Sequence, residues 1–181
     1  MISTLGHSTR PVEEFVELLR GYGIQQLVDV RTIPRSRHNP QFNSEVLAGS
    51  LQMAGIAYRH MPGLGGLRHP RRDSINMGWR NASFRGYADY MQTGEFHKNL
   101  EELIAFSAAA TTAIMCAEAV PWRCHRSLIA DALVARGIEV REILTASKSQ
   151  AHLLTPFARV EGAQVTYPGE SDNLELQFDG S

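Results

Sequence analysis

Strand and helix patterns alternate along almost the whole chain, and this alternation is the feature that most limits its fold. Short apolar runs typical of buried strands precede segments in which apolar residues recur every three to four positions, as in helices. The strand-like runs are residues 1–5, 25–31, 56–60, 111–115 and 139–144. Because successive strands joined by helices pair in parallel, the pattern predicts a three-layer α/β fold, a mainly parallel sheet with helices on both faces.

The remaining segments add a hairpin and a long irregular loop. Two β-type runs on either side of Glu161 and Gly162 predict a C-terminal β-hairpin. Residues 61–83 follow no regular pattern, and a loop of that length is usually functional or disordered; its embedded arginine, amide and aromatic residues favour a function. We expect a single domain over residues 1–168 and a polar, flexible tail over residues 169–181.

Composition excludes a membrane protein and a disulfide-rich scaffold. The chain is 43% hydrophobic and 20% charged, as in ordinary globular proteins. No apolar stretch approaches the roughly 20 residues that span a bilayer, and the first residues lack the features of a signal peptide. We therefore expect a cytoplasmic protein with no membrane partner, whose two cysteines are thiols or ligands. The sequence does not identify a cofactor or an oligomeric state.

The formal net charge of −1 hides an uneven distribution. Residues 31–85 contain nine arginines and two acidic residues, whereas the chain from residue 161 onward contains five acidic residues and no Lys or Arg. A basic stretch of this kind indicates an anionic partner, here a nucleotide or a nucleic acid. The alternative is a solvated arginine-rich surface that the acidic tail neutralises.

Both cysteines lie in one predicted strand–loop–helix turn, residues 115–127 (MCAEAVPWRCHRS). Such a turn places side chains at the carboxyl edge of a sheet and directs helix N–H groups toward a ligand. A helix N-terminus beside arginines lowers the pKa of a thiol to about 3.5–7.5, which applies best to Cys124. For Cys116, burial as a small apolar residue is an equal alternative.

Other polar residues are expected at the same sheet edge. His7 follows the first predicted strand, Asp29 and Arg31 end the second on one side of it, and Arg35 comes shortly after. Because parallel strands share one carboxyl edge, these segments and the cysteine loop should converge in one crevice. The arginines would bind phosphate there.

Several interpretations of the cysteine loop compete. Six residues separate Cys116 from Arg123, one more than in phosphatase loops, and Glu118 would repel phosphate, which argues against a phosphatase. Rhodanese-like sulfur transfer is less affected by this objection. Glu118 itself fits a general base, a ligand for a hydroxyl group, or a plain salt bridge with Arg31 or Arg126. The spacing of the cysteines does not match structural zinc sites.

Five short motifs carry a resemblance to a known family. They are Gly6-His7-Ser8, Asp29-Val30-Arg31 with Pro34 and Ser36, Leu64-Gly65-Gly66, Cys116-Ala117-Glu118 and Cys124-His125-Arg126. Together they resemble the family named domain of unknown function 488, over about residues 1–167. The resemblance implies an intracellular, mostly bacterial α/β domain and implies no particular activity.

These observations favour an enzyme that acts at the carboxyl edge on a phosphate-bearing substrate, such as a nucleotide or nucleic acid. The candidate catalytic residues are Cys116, Glu118, Cys124, His125 and His7. The candidate substrate-binding residues are Ser8, Asp29, Arg31, Arg35, Ser36, Trp122 and Arg126, and this hypothesis assigns no metal ligand. The alternatives are a non-catalytic nucleic-acid-binding module and a metal-binding domain that uses the cysteine loop.

Overall fold

A six-stranded sheet forms the centre of the computed structural model, which describes residues 1–170. Its strands are β1 (Ile2–Gly6), β2 (Gln26–Asp29), β3 (Ala57–His60), β4 (Thr112–Cys116), β5 (Val140–Thr145) and β6 (Lys148–Ala151). They lie in the order β3-β2-β4-β1-β5-β6, with all neighbours parallel except the pair β5 and β6. A separate antiparallel hairpin consists of β7 (Arg159–Glu161) and β8 (Gln164–Thr166). The predicted α/β sheet and the C-terminal hairpin are confirmed.

Helices cover both faces of the sheet and create two cores. They are α1 (Val12–Gly21), α2 (Ser44–Met53), α3 (Ala82–Tyr90), α4 (Gly94–Ser107) and α5 (Arg126–Ala135). Successive strand residues point to opposite faces, so Met115 packs into the core of α1 and α2. Its neighbour Cys116 packs into the core of α3, α4 and α5.

The topology opens a crevice between the carboxyl ends of β2 and β4. These strands are neighbours, but the chain leaves β2 for α2 on one face and leaves β4 for α5 on the other. A crevice of this kind is the usual ligand site of parallel α/β sheets. The cysteine loop, which joins β4 to α5, therefore lies at the predicted position.

Side-chain hydrogen bonds order the long segment over residues 61–83. Asp89 of α3 accepts hydrogen bonds from the Ser74 hydroxyl at 2.6 Å and from the Asn76 amide at 2.8 Å. The other amide atom of buried Asn76 accepts the Tyr167 N–H at 2.9 Å, which ties the segment to the end of the hairpin. The segment is thus fixed in place and supplies one wall of the crevice.

Two further expectations concern the C-terminal tail and membrane-spanning helices. The predicted tail lies outside the described residues from position 171 onward. Among residues 1–170, no helix is both long enough and apolar enough to cross a membrane.

Candidate functional site

A cavity of about 500 Å³ occupies the crevice at the carboxyl edge. This is within the range of about 300–1,000 Å³ that is typical of small-molecule sites. Its lining includes Arg31 and Arg35 after β2, Phe84 and Tyr87 of α3, and Cys116, Glu118, Arg123, Cys124 and His125 after β4. We call it the main cavity.

The Cys116 thiol lies at the floor of the main cavity, where β4 ends. Its Sγ accepts a hydrogen bond from Nη1 of Arg126 at 2.7 Å and lies 3.6 Å from the Glu118 carbonyl oxygen. Burial raises the pKa of Cys116, but the hydrogen bond from Cys124 and the charge of Arg126 outweigh it and lower the pKa to about 7. Much of this thiol is therefore the nucleophilic thiolate near neutral pH.

Arg126 lies beneath the cysteine loop and is completely buried. Besides Cys116, its guanidinium donates to the Glu118 carbonyl at 2.5 Å, the Ala119 carbonyl at 3.1 Å and the Thr4 hydroxyl at 2.9 Å. The sequence suggested a substrate-binding arginine, but these contacts engage its donors with protein atoms. In the structure Arg126 holds the loop in shape and stabilises the thiolate.

Cys124 precedes α5, as the sequence predicted, yet its thiol is not activated there. Its hydrogen bond to Cys116, followed by burial, raises the pKa of Cys124 far above the ordinary value. The expectation that Cys124 carries the lowered pKa is therefore wrong for this pair, because Arg126 directs its Nη1 at Cys116. Cys124 remains a thiol and acts as a hydrogen-bond donor.

His125 is neutral and has a defined tautomer. Burial lowers the pKa of His125 to about 4. Its Nε2 lies 3.1 Å from the Val30 carbonyl, which only accepts, so Nε2 carries the proton. Nδ1 is then an acceptor, and it lies 3.6 Å from Sγ of Cys124.

Arg31 is oriented by a buried set of partners. Asp29 accepts from its Nε at 2.9 Å and its Nη2 at 2.7 Å, and the Phe42 carbonyl accepts from Nη2 at 2.7 Å. His7 accepts from Nη1 at 3.3 Å and donates its Nδ1 proton to the Ser8 carbonyl at 2.7 Å. Within residues 1–170, these contacts use four of the five N–H groups of Arg31. One N–H group on Nη1 therefore remains for a ligand.

Glu118 and its neighbour Ala117 line both the main cavity and a second cavity of about 340 Å³. The second cavity is also lined by His7, Ser8, Ser36 and Asn39. One carboxylate oxygen of Glu118 accepts the Val120 N–H at 3.2 Å, and no Arg, Lys or His of residues 1–170 forms an ion pair with it. The salt bridge with Arg31 or Arg126 that the sequence suggested is therefore absent from this part of the chain.

The family model described as Domain of unknown function DUF488 matches residues 11–133, more than half of the 181 residues. The chain belongs to the DUF488 family. The match contains every lining residue of the main cavity, whereas His7 and Ser8 precede it. No curated protein and no solved structure matches the chain significantly. The DUF488 description states no reaction, so function has to be inferred from the site.

The DUF488 fold brings most predicted site residues together. Arg31, Arg35, Cys116, Glu118, Cys124 and His125 line the main cavity, and His7, Ser8 and Ser36 line the second one. Asp29 is fully buried behind Arg31. Arg126 is buried beneath the loop and lines neither cavity, and Trp122 is 65% exposed and lines a different cavity with Trp79 and Leu154.

Several lining residues did not emerge from the sequence. Tyr87 comes from α3, and Thr32, Gly66 and Leu67 complete the lining. Gly66 lies so close to His125 that a Cβ atom would be 3.1 Å from Nδ1 of that ring. The Leu64-Gly65-Gly66 motif was the available signal for this part of the lining. No three His, Cys, Asp or Glu residues of residues 1–170 lie together in a way that would hold a metal ion.

Proposed function

We propose that this DUF488 protein is a cysteine-dependent enzyme of the cytoplasm that acts on a phosphate-bearing substrate, such as a nucleotide or a nucleic acid. The observation that carries the proposal is the contact between the Cys116 sulfur and the Arg126 guanidinium, at 2.7 Å, in a cavity that arginines also line. A thiolate, not a thiol, is the nucleophile of cysteine enzymes. A reducing compartment such as the cytoplasm keeps both thiols available.

The arginines supply the sites for phosphate. Arg31 offers a fixed N–H group, whereas Arg123 and Arg35 are exposed on the rim. The nearest carboxylate to Arg35, that of Glu45, lies 3.8 Å away and is itself exposed, so this pair does little to neutralise the arginine. Arg31 is already paired with Asp29, so the exposed guanidinium groups of Arg35 and Arg123 against the single carboxylate of Glu118 are what favours an anionic ligand.

Other groups suit the remaining parts of a nucleotide and of the reaction. The Phe84 ring lines the cavity and stacks on Trp79 with the ring centroids 4.9 Å apart, and a base that adds to this stack would contact an aromatic surface. Cys124 stabilises the attacking thiolate by its hydrogen bond. Glu118, exposed between the two cavities and without a cationic partner in residues 1–170, is the group best placed to carry a proton to or from a leaving group.

The rate of Cys116 alkylation by iodoacetamide tests the proposal. Because thiolate is the reactive form, the rate should rise with pH through a midpoint of about 7. Mononucleotides should protect Cys116, and protection should weaken as salt is added. Arg123→Ala should weaken protection at least several-fold. Arg72→Ala is the matched control, since Arg72 is exposed in the same basic stretch but does not line the cavity.

Two results would count against the proposal. If mononucleotides, pyrophosphate and a single-stranded oligonucleotide all fail to protect Cys116, the proposal of a phosphate-bearing substrate is wrong. An alkylation rate that stays low until pH 9 would remove the Cys116 nucleophile. Protection by the oligonucleotide alone, weakened equally by Arg72→Ala and Arg123→Ala, would favour the non-catalytic nucleic-acid-binding module instead.

A further inference from the structure

The two cysteines are paired with each other in a way that the proposed nucleophile does not require. Both cysteines line the main cavity, Sγ of Cys124 lies 3.6 Å from Nδ1 of His125, and a hydrogen bond from Cys124 contributes to the lowered pKa of Cys116. A single nucleophilic cysteine needs cationic or N–H donors, and Arg126 already provides one. The second thiol places an unionised sulfur directly beside an ionised one.

We propose that Cys116 and Cys124 form a peroxide-oxidised dithiol site, in which a hydroperoxide oxidises Cys116 and Cys124 then closes a reversible intramolecular disulfide. This inference goes beyond the proposed function, because it needs no phosphate ligand and no substrate. It assigns different roles to the two cysteines. Cys116 is attacked by the oxidant, and Cys124 resolves the oxidised product.

The first step uses the ionised sulfur. The Cys116 thiolate attacks the terminal oxygen of the hydroperoxide, an S–O bond forms, the O–O bond breaks, and hydroxide (alkoxide from an alkyl hydroperoxide) leaves and takes a proton from solvent. Cys116 is oxidised by two electrons to a sulfenic acid, and the peroxide is reduced by the same two electrons. Access is through the main cavity, which both cysteines line.

The second step uses the neighbouring thiol and His125. Once the negative charge on Cys116 is gone, the Cys124 proton can pass to Nδ1 of His125, 3.6 Å from its sulfur. The Val30 carbonyl holds the other ring proton and keeps Nδ1 open as an acceptor. The Cys124 sulfur then attacks the Cys116 sulfur, the S–O bond breaks, and the departing hydroxide takes the proton. Overall, two thiols and one hydrogen peroxide give one disulfide and two waters, and an alkyl hydroperoxide gives one alcohol and one water instead.

Oxidation would switch the site off. The disulfide removes the thiolate that Arg126 faces and leaves no nucleophile at the floor of the main cavity. Reduction by a dithiol would restore both groups. The site would therefore report the presence of hydroperoxide through the loss of Cys116 reactivity.

Hydrogen peroxide and the full chain test this inference by thiol titration and mass spectrometry. In the wild type, both thiols should disappear together, the chain should run at the mass of a single chain on a non-reducing denaturing gel, and dithiothreitol should restore both thiols. At pH 7 a thiol of ordinary pKa, about 8.5, is only about 3% ionised, so Cys116 should react with peroxide roughly tenfold faster than a free cysteine.

Three variants separate the two steps. Cys124→Ser should stop at the sulfenic acid, which dimedone labels at Cys116. Cys116→Ser should leave the Cys124 thiol intact at the same peroxide dose. His125→Gln, whose amide is a much weaker proton acceptor, should oxidise at the normal rate but accumulate sulfenic acid before the disulfide forms.

The wild type alone can overturn the inference, even if a variant fails to fold. Retention of both thiols at a dose that oxidises free cysteine would do so, as would disulfides only between chains. A wild type that forms the disulfide but shows no nucleotide protection would support this inference while removing the proposed substrate, so the two failures are distinguishable.

Discussion

Helix α5 carries two buried charged side chains, Arg126 and Asp131, and the hydrogen-bond networks around them differ. Asp131 accepts hydrogen bonds from Nε2 of His152 at 2.7 Å and from the Tyr167 hydroxyl at 2.7 Å. It also accepts from both the N–H and the hydroxyl of Thr155, at 3.1 and 2.7 Å. Every one of its partners is another protein group.

The same closure extends outward from His152. Its Nδ1 lies 2.7 Å from a carboxylate oxygen of Glu142, whose other oxygen accepts from Gln150 at 2.7 Å. Burial lowers the pKa of His152, but its hydrogen bonds to Asp131 and Glu142 outweigh burial and raise the pKa to about 9. This imidazolium therefore clamps α5, β5 and the segment after β6 together.

The network around Arg126 is open by comparison. It ends at the Cys116 thiolate, and the groups next to it, Glu118 and the remaining N–H of Arg31, face a cavity instead of protein partners within residues 1–170. A closed buried network contributes rigidity, whereas an open one leaves reactive groups for a ligand. The comparison assigns stability to the Asp131 side of α5 and chemistry to the Arg126 side.

The largest effect is expected from Arg126→Met. Removal of this guanidinium leaves the carbonyls of Glu118 and Ala119, the Thr4 hydroxyl and the Cys116 sulfur without their donor. The free energy of unfolding, measured in urea, should fall by about 3–5 kcal/mol, and the pKa of Cys116 should rise. Arg126→Lys keeps the charge but not the fork of donors, so its free energy of unfolding should lie between those of the wild type and Arg126→Met. A loss of stability below about 1 kcal/mol would contradict the role of Arg126 in shaping the loop.

The pH dependence of stability tests the closed network. His152 has a folded-state pKa of about 9, above the unfolded value of 6.5, so its stabilisation is complete below pH 6.5 and is lost as the pH rises to about 9. Between urea unfolding at pH 6 and at pH 9.5, the wild type should lose about 2–3 kcal/mol more than His152→Gln does. The difference between the two proteins cancels the titration of Cys116. Equal pH dependence in both would show that His152 is not charged in the folded state.

The fold was predictable because it follows from repeated patterns, whereas the roles of individual site residues depend on distant contacts. β4 and α5 are visible as an apolar run and a helical period, and they fix the position of the cysteine loop. Nothing in the local sequence indicates that Arg126 turns inward while Arg123 stays on the rim, since this depends on Thr4 from β1. β6 also escaped prediction, because its four residues are all exposed and lack an apolar pattern.

The thiol assignment failed for the same reason. The position before α5 favours activation of Cys124, and that local argument is sound by itself. In the structure, the Arg126 guanidinium lies 2.7 Å from the Cys116 sulfur. The interaction between the two cysteines then favours ionisation of Cys116, with Cys124 as the donor. A contact between residues ten positions apart thus decides which cysteine ionises.

The smallest effect is expected from Trp122→Ala, which sharpens the boundary of the open network. Trp122 lies within the cysteine loop and was predicted to bind substrate, but its side chain is 65% exposed and lines neither the main nor the second cavity. Its replacement should change the free energy of unfolding by less than about 0.5 kcal/mol and leave nucleotide protection of Cys116 unchanged. Trp79→Ala is the contrasting variant, because Trp79 packs against Phe84 and Tyr167, and it should cost about 3 kcal/mol or more. A severalfold loss of protection in Trp122→Ala, with stability intact, would extend the ligand site beyond the main cavity and across the outer face of the loop.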